Sequence, residues 1–331
     1  LFDSPFNPFV SLSGGDRRLA DLLSGGPLSA DPATGAALPL QMASVEFVGP
    51  GLSASWSVDS GLWQVGGGSG PIQVPGDALA RWDAQSQTWR TAADVGGLTA
   101  TTRTTVVYRS DLPSVTWHDG SPLSAADFMM AMIMAFDPAD PASPCYDGTW
   151  AAFMAARRQG FVAFSITATD PLTVVYYGSG GNDVYAAVEQ ASLWPRWGSI
   201  EGPWHVLALG NLAQADGVLA WSPATAAMQA DTPLMDLTDP ACTAILAQYA
   251  RQAMDDGFIP YEPTMGRYVS ADEAGARYGA LLSFYEQYGH LCVGTGPYIL
   301  TRADRQGRTA DLINNAAFID LCDRWNRLLA Q

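Results

Sequence analysis

The sequence contains no lysine, so all seventeen of its basic residues are arginine. They face thirty-three acids, which leaves a net charge of −16, and the acids are scattered rather than gathered in a tail. Nucleic acid is a disfavoured partner on that ground, because phosphate binding needs a basic face. Charged residues of either sign make up only 15% of the chain, leaving Ser, Thr, Gln, Asn and Gly to solvate the surface. No apolar run approaches the roughly 18 residues of a membrane span. Histidine occurs three times, as His118, His205 and His290, so triad chemistry has few candidates. A G-x-S-x-G elbow, an H-E-x-x-H motif and a CxxC pair are all missing. Leu1 is not an initiator methionine and no basic-then-apolar leader follows it, so the chain is expected to be processed or to start internally.

What is present is a core. Hydrophobic residues form 48% of 331 positions, enough for one large domain or two lobes. Residues 1–100 are rich in Gly, Pro, Ser and Asp, with breaker clusters such as "SADPATGAALP" and "VGGGSGP", and predict short strands between long loops. From Arg103 the alternation of Thr104, Val106 and Tyr108 predicts a strand. "FVAFSITATDPLTVVYYG" reads as two strands meeting at Asp170-Pro171. Asp239-Pro240 and Ser270 open helices, which Gly257 and Gly289 close. "HLCV" (His290–Val293) and "YIL" predict strands around the turn "GTGP", and a closing helix carries Phe318, Cys322, Trp325 and Leu329 on one face. Strands alternating with capped helices give a mixed α/β class. The chain divides into a strand- and loop-rich part, residues 1–110, and an α/β part, residues 111–331.

The stretch "VTWHDGSPLSAADF" sets Trp117, His118 and Asp119 directly before a helix start. A catalytic base there needs an orienting partner and a pocket. The residues have structural work without one: a strand end, an Asp119-Gly120 turn, and a Ser124/Asp127 capping box. The helix that follows is apolar on nearly every side, and its Met129, Met130, Met132 and Met134 read as core. "GTGPY" is not a phosphate cradle, since Pro297 removes a donor and a strand rather than a helix follows. His290 and Cys292 alternate on one face but lack a second metal-ligand pair, and no cofactor is called for. The four cysteines (Cys145, Cys242, Cys292, Cys322) admit either buried thiols or, in an exported protein, two disulfides in one of three connectivities. Trp194, Trp197, Trp204 and Trp221 lie in or near a Pro/Gly-rich loop, where tryptophans line binding clefts or plug loops onto a core.

Taken together the motifs resemble a family. "VTWHDGSPLSAADF" and "VGTGPYIL" (Val293–Leu300) are similar to the His-Asp-Gly turn and the Gly-x-Gly-Pro-Tyr strand entry of the family 5 extracellular solute-binding proteins. "PLSADPATGAALPLQMASVEFV", "PWHVLALG" and "DRWNRLL" are further similar stretches. The resemblance implies a type II periplasmic-binding-protein-like fold of mixed sheets flanked by helices, with the chain forming the second part of a long member and one of two lobes incomplete. It implies a periplasmic or cell-surface protein without catalysis, its signal peptide removed. Such a protein binds oligopeptides and hands them to the permease subunits of an ABC importer. Trp194, Trp197, Trp204 and Trp221 are the expected ligand-lining residues, and oligosaccharide is the competing ligand. An exported family favours disulfides, with Cys292–Cys322 and Cys145–Cys242 as the pairing. Outside that reading stand an exported hydrolase using carboxylates such as Glu46, Glu189 and Glu201, and a surface or assembly protein that reuses the fold.

Overall fold

The computed structural model describes residues 1–12, 14–30, 37–198 and 200–318, apart from the side chains of Ala30, Ala37, Ala156 and Trp197. It is mixed α/β. Eight strands make one antiparallel sheet: β1 (Met42–Gly49), β2 (Leu52–Ser57), β3 (Trp63–Gly66), β4 (Leu79–Asp83), β5 (Thr88–Thr91), β6 (Thr102–Tyr108), β7 (Phe161–Thr169) and β8 (Leu172–Gly178). Their spatial order is β3-β2-β1-β6-β8-β7-β4-β5. Tight connections explain the antiparallel pairing, since Pro50-Gly51 joins β1 to β2 and Asp170-Pro171, a cis peptide, joins β7 to β8. β6 alternates buried and half-buried residues along its whole length, as its sequence predicts. Strands from both sides of residue 110 share the sheet, β6 pairing with β8 from Thr102↔Gly178 to Val107↔Thr173.

The helices are α1 (Gly14–Leu23), α2 (Ala125–Phe136), α3 (Gly148–Phe153), α4 (Ala155–Gly160), α5 (Val184–Ala191), α6 (Trp204–Ala215), α7 (Pro223–Met228), α8 (Pro240–Asp256), α9 (Glu262–Met265) and α10 (Ala271–Tyr288). Every residue of α2 from Ala126 to Ala135 is buried. One side meets the sheet through Phe128 and Tyr108, with centroids 5.0 Å apart, and another meets α6, whose Trp204 N–H donates to Asp127. Each Met, Phe or Ile so enclosed contributes about 1.5–3 kcal/mol, which is why the four methionines are core. Local chemistry sets the helix ends. Asp127 Oδ2 accepts the Ser124 N–H (2.9 Å) at the start of α2, and Asp239 caps α8, which Gly257 ends in the left-handed conformation. At α10 only half of a capping box forms: Ser270 accepts from the Glu273 N–H, while the Glu273 carboxylate turns to Arg277.

Three expectations change. "HLCV" is buried but is not a strand, because its backbone groups and those just beyond it bond singly to distant partners instead of to a ladder. The strand entering "WHDG" shrinks to one bridge, Thr116↔Pro122, closed by the Gly120 N–H on the Trp117 carbonyl. The Cys145–Cys242 disulfide does not form. Both are buried thiols held apart by their own partners, Cys145 donating to the Asn211 carbonyl and Cys242 to that of Leu234. Burial pushes their thiols up, to about 12 and about 11 respectively. Cys292 is likewise a free buried thiol. Cys322 and the stretch expected to form the closing helix beyond Phe318 lie outside the described residues. After α10 the chain ends, among the described residues, in a hairpin of β9 (Tyr298–Asp304) and β10 (Thr309–Asn314).

Candidate binding groove

Trp117 and His118 are buried, and the side chain of the half-buried Asp119 is fully enclosed. His118 Nδ1 accepts the Gly294 N–H (3.2 Å) and its Nε2 donates to the Gly296 carbonyl (3.1 Å). The two stretches that carry the family resemblance therefore touch, although 176 residues separate His118 from Gly294. Asp119 Oδ1 takes the Ser121 N–H and hydroxyl, and Oδ2 meets His205 Nε2 at 2.7 Å. Burial opposes the Asp119 charge, but the imidazole and these hydrogen bonds hold its carboxyl below the usual range. One turn further on, Asp127 pairs with Arg277 of α10, whose guanidinium also bonds Ser124 (2.8 Å) and lies 5.6 Å from the Trp204 ring.

Glu201 is the second centre of this polar knot, and sequence reasoning offered it only as a stray hydrolase carboxylate. It is buried, and its two oxygens accept from the Gly25, Gly26 and Thr295 N–H groups, the Thr295 hydroxyl and the Trp194 indole. Five donors on one carboxylate make it a structural acceptor. Glu46, by contrast, sits on β1 in an exposed pair with Arg103, and Glu189 is exposed on α5.

Of the four expected ligand tryptophans, Trp194, Trp204 and Trp221 are packed in the core; the Trp197 side chain lies outside the described residues. Their loop setting suggested exposure, but Trp204 begins α6 and the segments that carry Trp194 and Trp221 are pressed onto the core. One of them nonetheless leads to an opening. Trp221 stacks on Phe9 (centroids 4.9 Å, rings 16° apart), Phe9 packs on Trp150 (4.4 Å), and Trp150 stacks with Phe153 (5.3 Å). Phe153 ends the ladder 60% exposed. Polar contacts lock the inner rungs: Trp221 Nε1 donates to Asn211 (3.0 Å) and Trp150 Nε1 to the Met134 carbonyl (2.8 Å). Asn7 fixes the Phe9 turn by accepting the Phe9 N–H while donating to the carbonyls of Trp221 and Met235.

The ladder lines a groove of about 350 Å³ between the segment Pro8–Leu12, Arg17 of α1, α3 and Gly198. Asp147 orients α3 by accepting the Trp150 N–H (2.8 Å), and its other oxygen is held by the Thr225 hydroxyl (2.7 Å). Gly198 has φ +54, and a Cβ there would stand 3.0 Å from the Pro8 carbonyl, so the wall needs glycine. Arg17 is exposed and makes no ion pair among the described residues. Aromatic faces beside one uncommitted guanidinium suit a ligand with a flat or apolar body and an acceptor group. No periodicity links residues 9, 17, 150 and 153, so no sequence signal assembled them. A second depression, of about 310 Å³, has more charged residues in its lining, among them Arg109, Asp170, Arg267 and Glu273. Neither the family models nor the curated proteins searched match this chain.

Proposed function

We propose that this chain is the solute-binding part of an extracytoplasmic ABC import system, holding oligopeptide in the groove beneath Phe153 without chemical turnover. The aromatic ladder, with its exposed last rung beside Arg17, which has no ion pair among the described residues, carries the reading. A peptide supplies both complements: a side chain to lie on the exposed Phe153, and carbonyl or carboxylate oxygens for the guanidinium. The contact of His118 with Gly294 and Gly296 supports the family 5 resemblance, since the paired stretches serve the scaffold rather than chemistry. On this reading the fold is type II periplasmic-binding-protein-like, with a second lobe completed by chain beyond this one, and the permease subunits are its partner. Oligosaccharide is the second reading, favoured by the same ring faces, which stack on sugars as readily as on side chains.

The test is a thermal-shift screen with defined peptide and oligosaccharide pools, followed by calorimetry and mass analysis of the recovered ligand. Peptide is expected to raise Tm and return unaltered. A shift with oligosaccharide alone transfers the site to the second reading. A hydrolysed ligand, or no shift with either pool, overturns the proposal.

A further inference from the structure

Two imidazoles grip one short segment in the same way. His118 accepts the Gly294 N–H at Nδ1 and donates from Nε2 to the Gly296 carbonyl. His290 accepts the Cys292 N–H at Nδ1 (3.2 Å) and donates from Nε2 to the Leu300 carbonyl (2.9 Å). This pattern assigns both rings as neutral Nε2–H tautomers, because a ring that accepts an N–H at Nδ1 has no proton there. Of the gripped residues Leu300 lies in the β9–β10 ladder, whereas Cys292 to Gly296 lie in none, although the His118 N–H also donates to the Gly294 carbonyl (2.9 Å). They depend on single contacts: Leu291 N–H on the Leu237 carbonyl, Gly296 N–H on that of Leu23, Thr295 on Glu201, and Asn315 Nδ2 on the Gly296 carbonyl.

We infer that His118 and His290 form an acid-released latch on residues 292–300, whose opening frees the β9–β10 hairpin behind it. Each ring takes up one solvent proton at Nδ1, and the new N–H then faces the backbone N–H it formerly accepted. Both hydrogen bonds become donor-to-donor contacts in a buried site. Around His118 the charged groups are Glu201 and Asp119, already engaged by five donors and by His205 with Ser121. His290 faces His118 and the rings of Phe284 and Tyr288, and Asp236 with Arg305 flanks the neighbouring Cys292. Burial pushes His118 below the ordinary imidazole range against the Gly296 carbonyl, Glu201 and Asp119. Burial also pushes His290 down to about 4, against the Leu300 carbonyl and with His118 adding to the fall. With bound-state values below the free value of about 6.5, the grip is intact above that pH. It weakens as pH falls from there through the lowered values.

Amide hydrogen exchange on the full chain between pH 7.5 and 4 tests this, with protection corrected for the intrinsic pH dependence of exchange. Protection at the Cys292, Gly294 and Gly296 N–H groups is expected to fall below pH 6.5. The drop from 6.5 to about 4 at His290 sets a ceiling of about 300-fold. The amides of Val106 and Val174 in the sheet should hold through that range. The variants H118Q and H290Q keep an acceptor and a donor but do not titrate, and they should flatten the response. Retained protection at pH 4, or loss at the same pH as the sheet, overturns the latch. Should the variants not fold, imidazole nitrogen shifts of the unmodified protein decide it. Both rings must be Nε2–H tautomers at pH 7 and titrate in step with the Cys292 and Gly294 amide shifts; charged rings at pH 7, or amides that do not follow, sink it.

Discussion

The polar knot around His118 and Glu201 and the groove under Phe153 are built from opposite materials. The knot holds the residues that look reactive in the sequence, their side chains enclosed and most of their polar atoms bonded within the fold; the Trp117 and Trp204 indole N–H groups, His205 Nδ1 and Arg277 Nε have no partner among the described residues. The groove holds phenylalanine, tryptophan, proline and one arginine, none of them in a motif, and there a ring face and a charge are left open. Reactive residue types thus mark where the fold is tied, and a ring face and a guanidinium open to solvent mark where a ligand fits.

Four substitutions break or sharpen this contrast. Glu201→Ala strips the acceptor from five donors, each costing about 1–3 kcal/mol when buried and unsatisfied. A loss of at least about 3 kcal/mol is expected in denaturant unfolding, and a loss below 1 would mean the knot does not organise the fold. Trp221→Ala, at the inner end of the ladder, should cost about 3–5 kcal/mol by the same assay through cavity formation and a lost ring stack. Phe153→Ala, at the outer end, should cost under about 1 kcal/mol, yet weaken peptide binding roughly tenfold by calorimetry, the value of one good apolar contact. Equal effects at both ends would erase the distinction between core and site. Arg17→Ala should leave stability within about 0.5 kcal/mol and reduce peptide affinity several-fold at low salt, with the difference shrinking as salt is raised. Salt-independent loss would place the guanidinium's role in packing.

Legibility followed the range of the interactions. Helix starts at Ser124, Asp239 and Ser270, and the ends at Gly257 and Gly289, could be read because a cap is settled within four residues. The β7–β8 hairpin and the face alternation of β6 were legible for the same reason. "HLCV" misled because its alternation is that of a strand while its partner Leu237, like His118 on the adjoining Gly294, comes from far along the chain. The tryptophans misled because loop membership says nothing about which side of the loop meets the core. Glu201 gave no signal, since five donors from three separate places in the chain converge only after folding. The groove was the least legible, for it joins residues some 140 positions apart that share no pattern.

The close approach of the knot to α1 ties the two regions mechanically. Gly296 donates to the Leu23 carbonyl, and a Cβ at Gly294 would fall 2.0 Å from that same oxygen. Backbone thus lies directly on backbone at the last residue of a ten-residue helix whose fourth residue is Arg17. At about 1.5 Å per residue the two positions are roughly 9 Å apart along a stiff rod. Side chains that crowd the glycines would lever this helix outward, so the GTG stretch works as a gauge block: its missing side chains set how far the groove's arginine stands from the aromatic wall.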